Sequence, residues 1–185
     1  MILTTARLRL EPWVDGHLEG LQAMNGDPAV MRYITGRAYR AEETLAEIRK
    51  VQGYWRKFGY SWWSFFETGT GQIVGAGCIQ HLAGDPNNPL EIGWRIRRDK
   101  WRQGLAFEAA IAMAAFAFGT LGAPVLCAIC HPQNTVSESL MKKLGMHFQA
   151  RRSLHDMPVL VYEISRDAWA ARAAESPSTV LNLRT

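Results

Sequence analysis

Five cations, Arg95, Arg97, Arg98, Lys100 and Arg102, fall within eight residues against one acid, Asp99, and just beyond them Gly104 and Ala106 open an almost wholly apolar, alanine-rich stretch. Small residues where a helix begins let a ligand approach main-chain N–H groups that have no intrahelical acceptor, and the helix dipole adds to their pull on an anion. A diphosphate suits such a place. The bland alternative is a solvated basic face beside an ordinary strand-to-helix turn. The glycine spacing is neither that of the P-loop nor that of the dinucleotide fingerprint, so the expected ligand is another phosphate-bearing molecule.

Several elements must position that loop. Arg7, Leu8, Arg9, Leu10 and Glu11 alternate charged and apolar side chains, the period of a half-buried strand. Asp15 leads into Leu18, Leu21 and Met24, and Asp27-Pro28 caps a second short helical pattern through Val30, Met31 and Ile34. Leu45, Ile48, Val51 and Trp55 predict a helix over 41–57. Aromatic and β-branched runs at 60–67 and 72–82, joined by Thr68-Gly69-Thr70-Gly71, read as a hairpin, and 90–97 reads as a further strand. The segment 105–118 is apolar on all sides, which predicts a buried helix, and 125–130 resumes a strand. Thr135-Val136-Ser137-Glu138 is a capping-box pattern opening a helix with the stripe Val136, Leu140 and Leu144, closed by Lys142, Lys143 and Gly145. Strands are expected at 147–151 and 159–164. No repeat or linker divides the chain, so a single domain over 1–174 is expected, followed by a mobile Ser/Pro/Thr tail over 175–185.

The 185 residues, 48% apolar and 21% charged with a net charge of +4, exclude collagen, coiled coil, low-complexity tail and disulfide-rich toxin. A chain of this length buries about 70% of the surface its unfolded form exposes and needs no staple. The longest uncharged apolar run, 109–118, is half the roughly 20 residues of a membrane span, and the N-terminus carries charge where a signal peptide is apolar. Three cysteines leave one unpaired under any disulfide scheme, so a soluble, cytoplasmic protein is expected. Cys127-Ala128-Ile129-Cys130-His131 matches the c-type haem pattern, but it is apolar and strand-like, where cysteines pack as hydrophobes, and no second ligand pair completes a zinc site. Neither metal nor haem is expected.

LEIGWRIRRDKWRQGLAFEA (90–109) followed by HPQNTVSESLMKKLGM (131–146) resembles the GNAT superfamily of acetyl-CoA-dependent N-acetyltransferases, closest to its RimJ/RimL branch of ribosomal-protein N-terminal acetyltransferases. TTARLRLEPW near the start and DPAVMRYI at 27–34 resemble the same branch, so the similarity runs from residue 4 to about 165. Trp101 stands where the superfamily's phosphate loop usually begins with Gln or Arg, and members of this branch often carry an aromatic there. The resemblance implies an α/β (α+β) fold, a mixed central sheet of about seven strands flanked by about four helices and splayed between the strands at 90–97 and 125–130. It implies acetyl-CoA as cosubstrate, with the pantetheine in the gap on main-chain groups of Arg95, Ile96 and Arg97, and the pyrophosphate on Arg102, Gln103, Gly104, Leu105 and Ala106. Asn134 is placed on the pantetheine side, a role that can coexist with helix capping, and a homodimer is unsurprising.

Acyl transfer to an amine needs a neutral amine, a polarised thioester carbonyl and a proton for the departing thiolate. Glu91 matches a position where some superfamily members carry a catalytic glutamate; the alternative is an edge carboxylate paired with an arginine. His81, ending the preceding strand, is the runner-up base, or else a surface histidine. Many members place an acidic tyrosine where this chain has Met141, which leaves Ser137 to hydrogen-bond the thiolate or to satisfy backbone groups in its turn. A backbone N–H of the 90–97 strand is expected to polarise the carbonyl. The expected reaction is direct attack of a primary amine, on a peptide N-terminus or a small molecule, in a ternary complex. If a few of Trp13, Tyr33, Tyr54, Trp55, Trp62 and Trp63 escape the core, they suit a peptide N-terminus or hydrophobic amine. Two alternatives remain open, an acetyl-CoA sensor without turnover and a nucleic-acid binder using 95–102 with Trp94 and Trp101; the small net charge argues against the latter. No membrane partner is expected.

Overall fold

The computed structural model describes residues 1–154 and 157–175. Its strands are β1 (Leu3–Thr4), β2 (Leu8–Pro12), β3 (Trp62–Glu67), β4 (Ile73–His81), β5 (Leu90–Ile96), β6 (Val125–Cys130), β7 (His147–Leu154) and β8 (Met157–Ser165). They form one sheet in the order β1-β2-β3-β4-β5-β6-β8-β7. Every neighbouring pair is antiparallel except β5 and β6, which are parallel because a long helix crosses over between them. That pair meets only at Leu90 with Leu126 and Glu91 with Cys127, after which the strands part, so the expected splay is present.

The helices are α1 (Leu18–Asn25), α2 (Pro28–Met31), α3 (Ala41–Phe58), α4 (Leu105–Gly119), α5 (Thr135–Lys143) and α6 (Arg166–Glu175). Ala109, Ala110, Met113, Ala114 and Ala117 of α4 are fully buried against Leu8, Trp63, Phe65 and Ile92 of the sheet. A helix with so little polar surface has no solvent face to keep, and its alanines bring its axis close to the strands. Gly77 serves the same approach, since a Cβ there would sit 2.6 Å from Phe65, 2.7 Å from the Gly93 carbonyl and 2.7 Å from Met113. The opposite face carries a smaller cluster in which Leu21, Met24, Ile48 and Val51 of α1 and α3 meet Trp13, Ile73 and Ala76.

Eight strands replace the expected seven because β1 is two residues long, too short for a period to show. Six helices stand where the resemblance implies about four; five of them follow the helical patterns read from the sequence. The addition is α6, where the Ser165 hydroxyl accepts from the Ala168 N–H at 3.2 Å and Trp169 stacks on Phe118 at 5.7 Å. The serine before an alanine-rich run was the available signal. The second short helix stops at Met31, before Ile34. The cap of α5 is Asn134, one residue ahead of the expected Thr135, and its side chain accepts from the Ser137 N–H. Glu138 therefore does not reach back to the backbone but pairs with Lys142 at 2.7 Å. Val136 of the expected stripe is 77% exposed, and Met141 with Leu144 forms the buried face instead. Beyond Glu175, the expected tail lies outside the described residues.

Candidate active site

Past β5 the chain makes one helical turn at Arg98–Lys100 and swings into α4 through Arg102 and Gly104, whose φ angles are 61° and 79°. Left-handed backbone is cheap for glycine and strained for arginine. None of the N–H groups from 102 to 107 meets an acceptor among the described residues, and the first to do so is Glu108, on the Gly104 carbonyl at 3.1 Å. The loop is fixed from behind. Trp101 donates its indole N–H to the Ile96 carbonyl at 2.7 Å, and Arg7 donates to the Gln103 carbonyl at 3.0 Å. Arg7 and Thr5 in turn bind Glu108 at 2.7 and 2.6 Å. Burial raises the Glu108 pKa, but these hydrogen bonds more than offset it and hold the carboxyl below its ordinary range. Sequence reading saw Arg7 only as the polar phase of a strand and missed this role.

The five clustered cations do not form one anion site. Arg97 pairs with Asp99 at 2.7 Å, Lys100 with Glu67 at 2.8 Å and Arg98 with Asp27 at 3.6 Å. Arg95 is buried in the sheet interior, on the Glu91 face. Only Arg102 stays exposed beside the free N–H groups without a side-chain partner among the described residues. Three of the five cations at 95–102 are thus paired with acids and one is buried, while Trp94 packs on the α4 core.

The register also sorts the main-chain groups of β5. The Arg97 N–H bonds the Val74 carbonyl at 2.9 Å, and antiparallel pairs alternate, so Arg95 and Arg97 turn their backbone toward β4. The groups facing the gap beside β6 belong to Trp94 and Ile96, and the Ile96 carbonyl is already taken by Trp101.

Where the splay begins, Glu91 faces a cavity of about 320 Å³ lined by Lys50, Tyr54, Phe58, Tyr60, His81 and Ile129 among others. Glu91 is 9% exposed, and burial pushes its pKa up to about 7, against one favourable contact, a hydrogen bond from Gln80 at 3.3 Å. It has no arginine partner among the described residues, so the edge ion pair weighed for it does not form. The Gln80 amide cannot turn round freely: its oxygen accepts at 3.1 Å from the Trp62 indole, which can only donate, and this leaves its NH₂ for the carboxylate.

His81 reaches the same cavity, but both ring nitrogens are engaged. The Asn88 carbonyl, 3.0 Å from Nδ1, can only accept, so Nδ1 carries the proton and Nε2 accepts from the Tyr60 hydroxyl at 3.0 Å. The Cys127 and Cys130 thiols are pushed up to about 12 and about 11 by burial, and Cys78 is also raised. These are packing groups.

Asn134 and Ser137 stand past the end of β6, on the far side of the gap from the loop before α4. Asn134 uses its oxygen to cap α5, while the Ser137 hydroxyl makes no hydrogen bond among the described residues. Met141 is buried in the core.

The family model described as "Acetyltransferase (GNAT) domain" matches residues 7–147. YkkB of Bacillus subtilis (strain 168), described as uncharacterized, is 29% identical over 164 residues, covering 87% of this chain and 94% of its own. The FsC-acetyl coenzyme A-N(2)-transacetylase of Aspergillus fumigatus is 26% identical over 183 residues, covering 90% of this chain and 77% of its own. Among solved structures, RimL, a ribosomal L7/L12 alpha-N-protein acetyltransferase in complex with coenzyme A, superposes with a TM-score of 0.75 at 15% identity, over 91% of this chain and 99% of that one.

Proposed function

The chain belongs to the GNAT acetyltransferase family and is an acyltransferase, and from that premise we propose that it moves the acetyl group of acetyl-CoA to a primary amine by direct attack in a ternary complex. One observation carries the reading: β5 and β6 part at Glu91, and the gap between them leads to the unpartnered N–H groups of 102–107. A diphosphate supplies the acceptors those donors lack, and Gly104 keeps the approach free of a side chain. Arg102 adds the remaining charge. The free N–H of Ile96 and both backbone groups of Trp94 face the pantetheine path, so the donor that polarises the carbonyl comes from this edge.

Glu91 is the base in this reading. A carboxyl with a pKa of about 7 is half ionised at neutral pH and strong enough to take an ammonium or water-relayed proton there. On the other side of the gap, the unused Ser137 hydroxyl donates to the thiolate as it leaves. The His81–Tyr60 pair shapes the cavity wall, and Tyr54, Phe58 and Ile129 suit an acceptor with apolar surface, such as a peptide N-terminus or hydrophobic amine. The free, buried cysteines fit a reducing compartment such as the cytoplasm.

The test is acetyl-CoA-dependent thiol release measured over a set of amines and N-terminal peptides, with Glu91→Gln beside the parent. Release that depends on the amine and falls at least a hundredfold in the variant is expected. Binding of acetyl-CoA without release for any amine would make the protein a sensor, and no binding at all would overturn the site.

A further inference from the structure

Arg95 is a guanidinium only 8% exposed, with no hydrogen bond or ion pair among the described residues. It lies 4.6 Å from the ring centre of Trp62 and 5.5 Å from that of Trp13, and the two rings are 5.5 Å apart. The ring faces attract the cation but accept none of its in-plane N–H bonds. Arg95 Nε and Trp13 Nε1 are both buried without an acceptor, so one cluster holds two orphaned donors. Burial draws the Arg95 pKa down to about 10, which leaves it charged at neutral pH. The nearby acid Glu47 is turned toward Lys50, 3.8 Å away. An unpaired buried cation is destabilising, and the two indole faces offset that cost only in part.

The cluster adjoins the acceptor cavity through one side chain, Gln80. Trp62 covers Arg95 and also donates to Gln80, which lines the cavity and donates to Glu91. Lys50, on the cavity rim, is one turn from Glu47. Arg95 and Glu91 share a face of β5 four residues apart, which is about 13 Å along a strand. That backbone spacing exceeds what the amino and carboxyl groups of a single α-amino acid can span with a hydrogen bond of about 3 Å at each end.

Building on the reading of the cavity as the acceptor site, we propose that Arg95 and Trp13 Nε1 bind the carboxylate of the acceptor, which is therefore a short peptide acid rather than a single α-amino acid. A planar guanidinium with open in-plane donors matches a carboxylate in charge and geometry.

The experiment compares dipeptides with their C-terminal amides in thiol release, using the parent, Arg95→Met and Trp13→Phe. The parent is expected to favour the acid at least tenfold in kcat/KM, through KM, and the preference should collapse toward one in Arg95→Met and shrink in Trp13→Phe. Thermal melts supply a second readout that needs no turnover. Sodium acetate at fixed ionic strength should raise the melting temperature of the parent and not of Arg95→Met, and Arg95→Met alone should melt no lower than the parent. If no amine is acetylated, the proposed reaction fails while the acetate arm still decides the anion site. Equal use of acid and amide by the parent, or a preference that survives both substitutions, overturns the acceptor assignment. A destabilised Arg95→Met with no acetate effect in the parent would assign Arg95 a packing role only.

Discussion

Replacing Gln80 with leucine removes the one hydrogen bond that favours the ionised form of Glu91 while keeping an apolar side chain of similar length against Trp62. A hydrogen bond to a charged group contributes about 1.5–3 kcal/mol, and at 3.3 Å this one belongs at the weak end. About 1.4 kcal/mol is one pKa unit, so the Glu91 carboxyl should rise from about 7 to roughly one unit higher. The base works deprotonated, so activity lies above its pKa and is lost as pH falls through it. The acid limb of kcat/KM should therefore sit near neutrality in the parent and about one unit higher in Gln80→Leu. Well below both values the variant should be about tenfold slower, and well above both the two should converge. The assay is thiol release at subsaturating amine, from mildly acidic to alkaline pH, using an acceptor of high amine pKa whose own titration stays outside the window. A limb that stays in place, or moves toward acid, would refute the claim that Gln80 tunes the base. A uniform loss at every pH would show that Gln80 acts on packing instead.

Other consequences follow from the same geometry. Because burial raises the folded-state pKa of Glu91, its ionisation opposes folding at pH values above that pKa and costs nothing below the unfolded carboxylate range. Glu91→Gln should thus stabilise the ligand-free protein by up to about 3 kcal/mol at mildly alkaline pH and little in acid, as read by denaturant titration at both. Gly104→Val forces a β-branched residue into φ of 79° with Arg7 3.6 Å from the new Cβ, so calorimetry should show acetyl-CoA affinity reduced tenfold or more; unchanged affinity would count against the loop. Gly77→Ala places a methyl 2.7 Å from the Gly93 carbonyl, and about 1–3 kcal/mol of stability should be lost in a urea midpoint measurement with the slope unchanged.

Much of this molecule is written in local pattern. The alternation at 7–11, the period of 41–57, the almost wholly apolar run at 105–118 and the small residues at 104 and 106 each imply their element from side chains a few positions apart. The turn with unpartnered N–H groups was legible for the same reason: a cation-rich turn with glycine ahead of a buried helix is a contiguous signal. Only the tertiary structure decided what those residues touch. The cations near 100 look alike in the chain, yet Asp27, Glu67 and Asp99 pair with three of them, and the fold buries Arg95. Arg7 meets Glu108 across 101 residues. The Glu91 carboxyl is raised by burial and partly held back by Gln80, which β4 places opposite it, and Tyr60 and Asn88 engage the two nitrogens of His81. Periodicity records which face of an element is apolar and carries no information on register. Hydrogen-bond partners, desolvation and therefore acidity depend on register and on the burial that packing completes.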